Sequence, residues 1–208
     1  MIFRMKFKFK ELIHELKHHA PFTAFATIIA ILVILLIQYY FNKSISENLF
    51  EIFHPLHIIA SSMVTAGIFY KYKPKILYSI LIGMGGAIIL GSMSDIILPW
   101  LGGNLLTLNT SFHLPLIEKP LIILSSALIG STMGTVTRTT RMPHFIHVFL
   151  SVFASLFYLL AFSSGITLFY FIVIFFIILI AVIIPCCVSD ILFPFLFLKE
   201  KIKHCYCK

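Results

Sequence analysis

The run FTAFATIIAILVILLIQYYF, residues 22–41, holds twenty consecutive residues without one acidic or basic side chain. At 1.5 Å per residue it makes a helix about 30 Å long, the thickness of the hydrocarbon core of a bilayer. It has no charged face to turn toward water. Five further apolar runs follow, at approximately 54–70, 76–98, 120–137, 144–162 and 166–198. The whole chain of 208 residues is 60% hydrophobic and 12% charged, with a mean hydropathy of +1.02. A soluble enzyme, a disordered chain and a disulfide scaffold are all poor fits to that composition. The runs are unbroken rather than alternating, which argues against a β-barrel. The expected fold class is all-α: a multi-pass protein of the cell membrane with about six transmembrane helices.

Basic residues set the orientation of such helices. Fourteen of the sixteen Lys and Arg residues fall in 1–21, 71–75, 138–143 and 199–208, and two fall in the alternate connections. Both termini are therefore expected to be cytoplasmic, which requires an even number of spans. The same placement makes the net charge of +8 a topological signal, and nucleic acid is not an expected partner. The lipid bilayer is, with a homo-oligomer left open. No cleaved signal is expected at the basic N-terminus, because a full-length span follows it.

The runs also repeat. His54-Pro55-Leu56-His57-Ile58 opens the second span and His144-Phe145-Ile146-His147-Val148 opens the fifth, 90 residues later. Ser94-Asp95-Ile96-Ile97-Leu98-Pro99 closes the third and Ser189-Asp190-Ile191-Leu192-Phe193-Pro194 closes the sixth, 95 residues later. This pattern predicts two three-helix repeats, 22–98 and 120–198, joined by an outer connection at 99–119. A basic amphipathic segment, 1–21, precedes them and a basic tail, 199–208, follows. Three spans per repeat place the second copy upside down relative to the first, the plan of many secondary transporters. On that plan His54, His57 and Asp95 lie toward the outer face and His144, His147 and Asp190 toward the cytoplasmic face. The second span starts at His54 on hydropathy alone, which puts both histidines at its mouth. Pro185 and Pro194 predict a break in the last span near Pro185.

A His-x-x-His pair on a helix directs two imidazoles to one side, within reach of one divalent ion or one proton network. A carboxylate from a neighbouring span supplies a hard third ligand. Asp95 and Asp190 are the two carboxylates set inside apolar runs, where an ionised group normally faces a cavity, a partner or a pathway. Each is followed four residues later by a proline, which frees a backbone carbonyl nearby. The competing reading makes the histidines interfacial helix-end residues and the aspartates solvated helix ends. Cys186 and Cys187 are candidate soft-metal ligands or small packing residues, and no disulfide is expected. Glu11, His14, Glu15, His18 and His19 form a polar helical stripe ahead of the first span, read as an interfacial amphipathic helix. Gly130 and Gly134 have the spacing of a small-residue packing motif, while Ser61, Ser62 and Thr65 make the second span rich in hydroxyls.

The paired His-x-x-His openings and Ser-Asp-Ile-x-x-Pro closings resemble those of uncharacterised polytopic proteins of archaea and bacteria, heavy-metal exporter-like in description. The six-span, three-plus-three architecture resembles the lysine-exporter type of transporter, a group that includes manganese, cadmium and nickel exporters. The resemblance implies a secondary transporter or exporter of a divalent metal cation, coupled to protons. Asp95 and Asp190 would then bind metal and proton in alternation, with the His pairs gating or selecting; a transported divalent metal ion is the one ion implied, and a resident cofactor is left open. A substrate-binding membrane subunit of a larger importer is the alternative from another class. A membrane metalloenzyme is a third, disfavoured because inversion divides the ligand candidates between opposite faces. No phosphate loop, nucleophile elbow or His-Glu-x-x-His motif is present, so an enzyme is not expected.

Overall fold

The computed structural model describes residues 9–41, 47–137, 141–164, 166–189 and 193–197. Among them every regular element is helical. The long helices are α1 (Phe9–Phe41), α2 (Glu47–Tyr72), α3 (Ile76–Leu105), α4 (Pro120–Thr137), α5 (Arg141–Phe162) and α6 (Tyr170–Cys187). Helical turns at Pro115–Glu118 and Phe193–Leu196 flank α4 and follow α6. The first five contain stretches long and apolar enough to cross a membrane, and α6 contributes a shorter apolar helix. A polytopic helical membrane protein is therefore the class that length, composition and fold define together.

Three helices run further than hydropathy alone indicates. α1 begins at Phe9 and passes through Pro21 without a break. α3 continues to Leu105 through a π-helical turn at Met93–Ile97. α2 begins seven residues before His54, because its first two turns carry Glu47 and Glu51, which lower the hydropathy without disfavouring a helix. The histidines are thus about 10–15 Å along the helix, counting 1.5 Å per residue. They are not at its mouth, and Pro55 lies inside α2 rather than starting it. Near Pro185, where a kink or break is expected, α6 runs through the proline itself, and α-helical bonding gives way to π-helical bonding at Val188 and Ser189.

α2 packs against α3, α4 and α5, while α1 packs against α5 and α6. The close approach of α4 to α2 depends on its two glycines. A Cβ on Gly130 would strike the carbonyl of Ile59, and one on Gly134 the carbonyl of Met63. On the other side of the bundle, Ile34 of α1, Leu156 and Leu159 of α5 and Ile174 and Ile178 of α6 form an apolar core with Phe50 and Ile96. The outward faces stay apolar, with Leu32, Leu77, Leu121 and Ile172 exposed, as lipid contact requires.

Candidate metal centre

Asp95 lies in the π-helical turn of α3 and is fully buried. Four donors surround its carboxylate. His54 and His57, one turn apart on α2, both donate from Nδ1 to Oδ2, at 2.8 and 2.7 Å. Ser94 and Ser151 both donate from Oγ to Oδ1, each at 2.8 Å. A carboxylate offers about four lone-pair sites, so this one is saturated. The arrangement is what lets an ionised group persist among apolar helices.

Because a carboxylate can only accept, each imidazole carries a proton on Nδ1 and turns its Nε2 the other way. Both Nε2 atoms are buried and have no hydrogen-bond partner among the described residues. His54, His57 and Asp95 together form a group whose ligand atoms lie within 4.8 Å of one another. Gly91 keeps the α3 backbone close to this pair, since a Cβ there would lie 2.6 Å from Ile58 Cδ1 and 3.7 Å from His57 Cε1.

His147 departs from the expectation that two clusters occupy opposite faces. Its ring is buried and stands edge-on to that of His57, centroids 5.4 Å apart. The physical reason is that α2 and α5 pack directly on each other, so the inward faces of the two His-x-x-His helices meet. His144 is in α5, but its side chain is outside the described residues, as is that of Cys187. Asp190 lies outside them altogether. Cys186 is buried near the end of α6 within the apolar core.

The hydroxyl bonds around the centre occur as a matched pair. Ser94 Oγ lies 3.2 Å from Ser151 Oγ, and the Ser94 carbonyl accepts from Ser155 Oγ at 3.0 Å. Ser189 Oγ lies 3.3 Å from Ser61 Oγ, and the Ser189 carbonyl accepts from Thr65 Oγ1 at 3.4 Å. Ser61 and Thr65 precede Ser151 and Ser155 by the same 90 positions that separate the His-x-x-His motifs. Ser94 therefore bonds to α5, and Ser189 bonds to α2.

Proline and the π turn explain why. In π-helical bonding the carbonyl of Ser94 awaits the N–H of residue 99, which is Pro99 and has none. The hydroxyl of Ser155 takes its place, and Thr65 serves Ser189 in the same relation to Pro194. Ser151 and Ser155 were not among the candidate residues read from the sequence. Their 90-residue offset from Ser61 and Thr65 is the signal that could have found them.

Outside this centre, Phe50 separates it from a polar end of the bundle. Its ring stacks on His54 at 5.4 Å and meets His113 edge-on at 6.1 Å. His113 pairs with Glu118 at 2.8 Å, and Lys119 pairs with Glu51. Searches of family models, of curated proteins and of solved structures found no match to the chain. What the site can do is therefore argued from its own geometry.

Proposed function

We propose that this membrane protein transports a divalent metal cation, bound at the His54, His57 and Asp95 centre and exchanged for protons. The observation that carries the reading is a saturated, buried carboxylate holding two imidazoles whose Nε2 atoms are left without partners. A purely structural polar cluster gains nothing from two buried nitrogens that bond to nothing. A bound cation would give such a nitrogen a partner.

The finer architecture belongs to the same proposal: two three-helix repeats of opposite orientation, with both termini cytoplasmic. The exchanged docking of Ser94 and Ser189 supports a two-fold relation between the repeats, and the distribution of Lys and Arg supports the orientation. Asp190 enters on its sequence alone, as the counterpart of Asp95 in the second repeat.

The test is flux. Protein reconstituted in liposomes that enclose a metal-sensitive dye is expected to move at least one of zinc, cobalt, nickel and manganese. Asp95→Asn is expected to reduce that flux by about 10–100-fold, the usual cost of losing a group that orients metal-binding imidazoles. Silence of the wild-type protein toward all four ions, or full flux through Asp95→Asn, would defeat the reading. A membrane metalloenzyme is a second reading, favoured by His147, which brings a third imidazole to the centre. Product formation in membranes made permeable would distinguish it, because transport needs a sealed compartment.

A further inference from the structure

We infer that Phe50 is the gate of the buried centre: its ring closes His54 off from the end of the bundle that carries Glu51, His113 and Glu118, and its rotation admits a divalent cation from that end. The inference rests on the proposed function for the cation and on the ring contacts for the closure.

Phe50 lies in the first turn of α2, four residues before His54, so the two side chains share one helix face. Side chains on a helix lean toward its N-terminus, which lays the His54 ring on Phe50, centroids 5.4 Å apart and planes inclined by 17°. Beyond Phe50 the chemistry changes. His113 meets its edge at 6.1 Å and pairs with Glu118, which is 47% exposed. One apolar ring therefore stands between an ion pair in contact with water and a histidine that is fully buried.

Tyr158 and Phe162 of α5 close the sides, each edge-on to Phe50, at 5.2 and 5.7 Å. These walls are tied down. Tyr158 Oη accepts the His113 N–H at 3.2 Å and donates to the Ser111 carbonyl at 3.1 Å, and Phe162 stacks on His113 at 4.6 Å. Phe50 has no polar atom, so it turns about its side-chain torsions without breaking a buried hydrogen bond. While in place it blocks a hydrated ion, because it offers the ion's water neither donor nor acceptor, as hydrophobic constrictions do in channels. The end outside it draws cations: among the described residues it holds Glu47, Glu51 and Glu118 against Lys119, an excess of negative charge.

The experiment is hydroxyl-radical labelling of full-length protein in nanodiscs, read by mass spectrometry, which reports water beside each ring whatever its protonation state. In the wild type His113 is expected to label and His54 to be protected. Phe50→Ala removes the ring and its four aromatic contacts, and is expected to raise His54 labelling by about tenfold or more. Phe50→Leu, which keeps much of the apolar volume, is expected to give a smaller rise, and it carries the test if the alanine variant does not insert. Phe53→Ala is the control, on the same helix but packed on Phe153 and Phe157, and is expected to leave His54 protected. Protection of His54 in both Phe50 variants, or equal exposure in Phe53→Ala, would overturn the inference, as would wild-type His54 that labels as fast as His113. Cation flux through the wild type with His54 sealed in both Phe50 variants refutes the gate and spares the transport reading. The expected labelling without flux of any of the four ions refutes the transport reading and leaves Phe50 as the closure of the centre.

Discussion

The four bonds to Asp95 are of unequal standing, and Ser151 is the donor that joins the two halves of the molecule. It reaches Oδ1 from α5, whereas Ser94 is the residue next to Asp95 itself. A hydrogen bond to a charged group contributes about 1.5–3 kcal/mol, a neutral one about 0.5–1.5. Ser151→Ala is therefore expected to lower stability in detergent by about 1.5–3 kcal/mol, and Ser155→Ala, which loses a bond to the Ser94 carbonyl, by less. Denaturation midpoints of the two variants compared with wild type decide this. An equal or larger loss for Ser155→Ala would mean that Oδ1 does not depend on α5. The carboxylate and its two histidines were legible in the sequence because such residues are rare in apolar runs. The serines were not, since a hydroxyl in a membrane helix most often bonds to its own backbone, as Ser131 does to Ala127.

Helix contacts within the bundle are set by glycines whose neighbours differ sharply. At Gly134 an added Cβ meets the backbone of Met63, which cannot swing aside. At Gly85 the nearest atom is Phe193 Cζ, 3.9 Å away, an ordinary contact. Gly134→Ala is expected to lower stability by about 1–3 kcal/mol through overpacking. Gly85→Ala is expected to be neutral or to raise it by about 0.5–1 kcal/mol, because alanine is the better helix former. Thermal or denaturant unfolding of both in one detergent tests the contrast; parallel shifts would show that α4 can move off α2 without cost. The spacing of Gly130 and Gly134 made this contact legible before the structure. The π turns were not, because hydropathy windows average over them and their cause is tertiary: a proline that withholds an N–H and a hydroxyl from another helix that replaces it. The same averaging hid the first two turns of α2, where Glu47 and Glu51 dilute the apolar signal, and so misplaced His54 and His57 at a helix end.

Across the whole molecule, the apolar runs made the helical membrane class readable, since their length follows from a bilayer's thickness. The meeting of α2 and α5 was not readable, and it brings His147, expected on the opposite face, beside His57. That meeting constrains how the proposed transport can work. If one repeat rocks against the other, the contacts of Ser189 with Ser61 and Thr65 and those of Ser94 with Ser151 and Ser155 cannot all persist through the cycle. A link across one set should arrest the motion and leave the His54 and His57 pair intact. Ser61 and Ser189, whose Oγ atoms lie 3.3 Å apart, are suited to this, since a disulfide needs only about 2.05 Å between sulfurs. Ser61→Cys with Ser189→Cys, in a background without the four native cysteines, is expected to stop cation flux when oxidised and to recover it on reduction. Zinc binding should survive in both states, because neither serine touches the imidazoles. Unaltered flux from fully cross-linked protein would show that the two repeats move as one body, and a path through the centre would then have to open by side-chain motion, with Phe50 the first residue to examine.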